Sequence, residues 1–106
     1  MDKTVIQRLL AIHSGQEEET VRADITEALR LILQGVEAHE IRQANAIRWI
    51  ATSIGFLASR CYREAARAAE QALTGVALST VENKATPGEL RRGLDALAAM
   101  RTTDTP

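Results

Sequence analysis

Residues 49–73, WIATSIGFLASRCYREAARAAEQAL, decide how this chain folds. The stretch contains no proline, no period-two alternation and a dense run of Ala, Leu, Glu and Arg, so it is helical. The open question is whether it is one helix or two. Ile47, Ala58 and Ala69 lie eleven residues apart, as do Ile54, Ala65 and Val76, and Ile50, Cys61 and Ala72. Eleven residues are close to three turns, so the apolar phase carries across as in one straight helix running from about Glu37 to about Gly75, roughly 60 Å long. The rival reading breaks the segment near Ser59-Arg60 into a helix pair, and the spacing alone leaves both open.

Upstream, Asp2 is placed to cap a first helix carrying Val5, Ile6, Leu9, Leu10 and Ile12 on one side and stopping near Ser14-Gly15. Ser14 with Glu17 has capping-box spacing, and Glu17-Glu18-Glu19 match the positive end of a helix dipole, so a second helix begins there. Its stripe is Val21, Ile25, Ala28, Leu29 and Ile32, and Gly35 is the expected left-handed terminator. Downstream, residues 79–85 read as a linker. Thr86-Pro87-Gly88-Glu89 then supplies a cap, a proline at the first helical position and a glutamate at the third, ahead of Leu90, Leu94, Leu97 and Ala98. That helix is expected to end near Met100-Arg101. The expected fold is therefore an all-α bundle of four or five helices over residues 1–101, with a disordered polar tail at 102–106.

The sequence resembles a tetratricopeptide helix pair over residues 49–73. Trp49, Phe56, Tyr62, Glu64-Ala65 and Ala72-Leu73 stand where that family places its Trp, its two Tyr, its Glu-Ala and its late Ala-Leu. Arg60 stands at the family's turn glycine and Ala77 at its proline. The resemblance implies a break near Ser59-Arg60 and a role in binding peptides or partner proteins, as small members do when they act as chaperones for secretion-system components.

Composition narrows the chemistry. With 106 residues, 45% of them hydrophobic, the chain is one small domain, able to build a core but not a core plus a roomy walled active site. A formal net charge of -1 lacks the cationic footprint of most nucleic-acid binders. Cys61 is the only cysteine, so no intrachain disulfide forms, and with no visible targeting segment or membrane span the cytoplasm is the expected location. Cys61 itself reads as a small buried hydrophobe between Ile50 and Ala72.

No catalytic constellation emerges. His39-Glu40 opens like a zinc-protease helix, but Gln43 stands where the second His is needed, and neither His13 nor His39 has a Glu three residues before it. Both histidines read as solvated surface residues. The six glycines are scattered singly and make no phosphate loop. No metal, cofactor or enzymatic activity is expected.

One surface stands out. On a continuous helix Arg42, Asn45, Trp49, Ser53, Phe56, Arg60, Arg63 and Arg67 gather opposite Ile47, Ile54, Cys61, Ala65 and Ala72. Trp, Phe and Arg are enriched at interface centres, and Phe56 with Arg60 has the spacing of a cation–π pair. Alternatively, Trp49 and Phe56 belong to the core. The expected partner-binding residues are Arg42, Trp49, Phe56, Arg60, Arg63 and Arg67, in a non-enzymatic protein–protein interaction module. Such a module reads as a small bacterial-style helical adaptor or chaperone-like subunit, or a homodimer built on that face. The alternative is a small DNA-associated regulator using Arg60, Arg63 and Arg67, against which Glu64 and Glu70 interleave.

Overall fold

The computed structural model describes residues 2–41, 43–74 and 86–103, apart from the side chains of residues 43, 44 and 100–103. Within them the chain forms α1 (Lys3–Leu10), α2 (Glu18–Glu37), α3 (Gln43–Ala58), α4 (Tyr62–Thr74) and α5 (Pro87–Thr103), with no strand among the described residues. The all-α bundle expected from the sequence is the fold.

The decisive stretch is two helices. The molecule's longest dimension of 38 Å leaves no room for a 60 Å rod. The break is a Schellman motif: the Cys61 amide donates to the Phe56 carbonyl at 2.9 Å and the Arg60 amide to Leu57 at 3.1 Å, with Arg60 in the left-handed region at φ 62°. The second helix ends by the same device, with Glu40 donating to Gly35 at 2.8 Å, His39 donating to Val36 at 3.1 Å, and His39 at φ 60°. Gly35 is therefore not the terminator. It is buried two residues before the helix ends, and Glu37, expected to open the third helix, closes the second.

The caps divide similarly. Asp2 Oδ1 accepts from the amides of Thr4 and Val5 at 3.0 and 3.3 Å, and Thr86 Oγ1 accepts from the Glu89 amide at 3.2 Å, as the sequence indicated. The capping box from Ser14 to Glu17 does not form. The first helix already stops at Leu10, Ser14-Gly15 make a turn with Gly15 at φ 91°, and the Gln16 side chain accepts from the His13 amide instead. Helix α2 starts at Glu18, three residues later than a Ser14 cap would set it, with Glu18 and Glu19 in its first turn. At the other end, Thr102 and Thr103, assigned to the tail, are the last residues of α5. The linker at 79–85 and residues 104–106 lie outside the described residues.

Helix α2 is the axis. It packs against each of the other four, while α1, α4, α3 and α5 follow one another around it and α1 does not meet α5. Its full stripe, Val21, Ile25, Ala28, Leu29, Ile32, Leu33 and Val36, is buried, and a 20-residue amphipathic helix can serve four neighbours only because that stripe is wide. Helix α5 is held to it by Leu90, Leu94 and Leu97 and at the rim by Arg30–Asp95 at 3.0 Å and by Arg91–Glu37. It lies over α3 with Gly93 facing Ile54.

The most extensive packing is between α3 and α4. Ala46, Ile50, Ser53 and Leu57 form the buried stripe of α3, and Ala65, Ala66, Ala68, Ala69, Ala72 and Leu73 that of α4. Small side chains on α4 let the two backbones approach closely. Ser53, expected on the outer face, is fully buried and donates to the Ala65 carbonyl at 2.7 Å, an interhelix bond that satisfies its hydroxyl. No helix among the described residues is long and apolar enough to cross a membrane.

Candidate functional site

The hairpin between α3 and α4 redistributes the residues that one helix would have aligned. Trp49 and Phe56 are half-buried and pack against the core, because α2, α4 and α5 cover α3 around most of its circumference. Arg63 and Arg67 belong to a different helix, running back antiparallel, so the single arginine and aromatic stripe does not exist. Phe56 and Arg60 do not pair either; Arg60 Nε turns toward Glu18 Oε1 at 3.9 Å. Arg42 lies outside the described residues.

The structure instead assembles a site at the turn. Because residue 60 adopts the left-handed conformation, the chain reverses within Ser59-Arg60-Cys61 and α4 starts at Tyr62 beside the first turn of α2. The Tyr62 hydroxyl donates to Glu18 Oε1 at 2.6 Å and accepts from Arg22 Nη2 at 3.2 Å, and the Arg22 guanidinium lies 5.8 Å from the Tyr62 ring centroid. Burial raises the Tyr62 pKa above its ordinary value of 10.0, and donation to the Glu18 carboxylate adds to this, while Arg22 opposes it. The phenol thus bridges α2 and α4.

Around this crosslink lies an open groove of about 650 Å³, floored by Ile12, Val21 and Tyr62 and edged by Gln16, Glu18, Arg60, Cys61, Arg63 and Glu64. Arg60 is largely exposed, and Arg63 and Arg67 stand one turn apart on the outer face of α4. Arg63 and Arg67 form no ion pair among the described residues. Cys61 is not in the core as expected. It is half-buried at the turn, with Sγ 3.7 Å from the Ser59 carbonyl, while Ile50 and Ala72 are buried without it. Loss of the continuous helix is the reason, since the eleven-residue phase that aligned the three ends at residue 58.

Of the expected residues, the structure brings together Arg60 and Arg63, with Arg67 a turn beyond, and separates Trp49 and Phe56 from them. Sequence reasoning missed Arg22 and the partnership of Glu18 with Tyr62. Glu18 and Arg22 are four apart and share a face of α2, a signal available from spacing, but their partner lies 40 or more residues away. His13 and His39 are exposed, and among the described residues no three His, Cys, Asp or Glu side chains are grouped to hold a metal ion. No family model, no curated protein and no solved structure matches this chain.

Proposed function

We propose that the protein is a non-enzymatic protein–protein interaction module, a small helical adaptor that holds an acidic segment of a partner protein in the groove at Tyr62. The observation that carries this reading is the arginine edge: Arg60 and Arg63 border a groove whose lining includes the apolar Ile12 and Val21, Arg67 stands one turn beyond Arg63 on the exposed face of α4, and among the described residues Arg63 and Arg67 form no ion pair. Arginine offers forked donors to carboxylates, and an apolar floor beneath a polar rim is the anatomy of a docking surface. The tetratricopeptide resemblance of residues 49–73 points to the same class of work.

A titration followed by fluorescence anisotropy tests it, using a dye-labelled acidic amphipathic peptide, a neutral peptide of equal length and a DNA duplex. The acidic peptide is expected to bind best, and Arg63→Glu with Arg67→Glu is expected to weaken it about tenfold or more while leaving the helical circular dichroism unchanged. Equal binding of the neutral peptide overturns the acidic-segment reading. Preference for the duplex, with affinity falling steeply as salt rises, favours the DNA-associated regulator.

A further inference from the structure

The seam on α2 between α1 and α5 carries a second, independent inference, sharing no residue with the groove at Tyr62. Among the described residues α1 and α5 both pack on α2 and do not meet. Along this seam lies a groove of about 360 Å³ whose walls include Ile6, Leu31, Gly35 and Ala38, with Val5 at its edge. Val5 is 40% exposed and is the one large hydrophobic residue among those described that faces water to that extent. An apolar groove with an apolar knob at its own edge suits self-pairing, since a two-fold contact places the same patch on both sides.

The charges on α1 suit the same axis. Asp2 and Arg8 each lie three residues from Val5, on opposite sides of it, so all three share one face of α1. A two-fold axis through Val5 sets Asp2 of one copy opposite Arg8 of the other, twice over. Both groups can take part. The cap uses Asp2 Oδ1, leaving Oδ2 as an acceptor, and Arg8 forms no ion pair among the described residues. We propose that two copies of this chain pair through antiparallel α1 helices, Val5 meeting Val5 on the axis beside the two apolar grooves and Asp2 meeting Arg8 at both ends. The small apolar area makes this a weak, reversible dimer.

Sedimentation equilibrium of the full chain at low and high salt tests the proposal. The expected result is a monomer–dimer equilibrium that weakens as salt rises. Val5→Arg is expected to raise the dimer Kd about thirtyfold or more, and Arg8→Asp to raise it less, with helical content unchanged because both side chains are exposed. In a Cys61→Ser background, Val5→Cys is expected to give a disulfide-linked dimer under mild oxidation faster than Gln7→Cys, whose side chain borders α4 instead. A chain that stays monomeric at every concentration, a dimer indifferent to Val5→Arg, or equal crosslinking from positions 5 and 7 each overturns it.

Discussion

Helices α3 and α4 are the two arms of one hairpin, similar in length and joined by three residues, yet they relate to water in opposite ways. From Asn45 to Leu57 only Gly55 of α3 is exposed, whereas α4 presents Arg63, Glu64, Arg67, Glu70 and Thr74 to solvent and buries only its alanine stripe and Leu73. The difference lies in the side chains each arm offers its neighbours. Each arm packs against three helices, but α3 meets α2, α4 and α5 with large apolar side chains on most of its surface, while α4 meets α1, α2 and α3 with one alanine-rich face. A helix rich in large apolar residues was built to be surrounded; one that is amphipathic with alanine as its apolar partner was built to lie flat on another and leave its charges free. In this molecule the arm with the aromatics supplies stability and the arm with the arginines supplies surface.

Substitutions can break that contrast, beginning with the core arm. Ile50→Ala removes a fully buried side chain from the centre of α3, and a loss of about 3 to 4 kcal/mol in denaturant unfolding is expected. Trp49→Ala, at a half-buried position, is expected to cost about 2 to 3 kcal/mol, where a surface anchor would cost almost nothing. Ser53→Ala leaves the Ala65 carbonyl without its buried donor and is expected to cost about 1 to 2 kcal/mol by the same measurement. Double substitution with Ile50→Ala is then expected to be non-additive, because both side chains pack the same interface.

The hairpin also contains two places where the sequence is not at its stability optimum. Gly55 is exposed in mid-helix and a Cβ there would meet nothing within 4 Å, so Gly55→Ala is expected to stabilise by about 1 kcal/mol. Arg60 holds a left-handed conformation that glycine adopts without a Cβ penalty, so Arg60→Gly is expected to raise the melting temperature by the equivalent of about 1 kcal/mol. If the groove at Tyr62 works as proposed, the same change weakens acidic-peptide binding, so stability and binding move in opposite directions.

The smallest effect is a pH dependence at the join of α4 with α2. Because the folded state raises the Tyr62 pKa, it holds that proton more tightly than the unfolded chain does. The associated stability is fully present below pH 10.0 and is lost as pH rises through the folded pKa. Urea unfolding from pH 9 to pH 11 is expected to show that loss in the parent protein, with a shallower decline in Tyr62→Phe.

Much of this architecture was legible from local chemistry. Asp2 and Thr86 cap their helices as their sequence neighbours indicated, because a cap is satisfied within three residues. The all-α class followed from composition and period. The ends of α2 and α3 were harder, since both terminate on non-glycine residues, His39 and Arg60, in a conformation that side chains disfavour. Gly35, the residue best suited to that role, was buried instead against neighbours that no local rule reveals.

The sequence by itself determined that this chain is helical, which residues can cap, and that Arg60, Arg63 and Arg67 lie near one another, because these depend on interactions a few residues long. Only the tertiary structure decided that the eleven-residue phase from Ile47 to Val76 is interrupted. Packing the alanine face of α4 back onto Ala46, Ile50, Ser53 and Leu57 buries more apolar surface than a solvated 60 Å rod would, and that gain outweighs the cost of one strained residue at position 60. The turn in turn sets Tyr62 against Glu18 and Arg22 and sends the aromatics and the arginines to different surroundings.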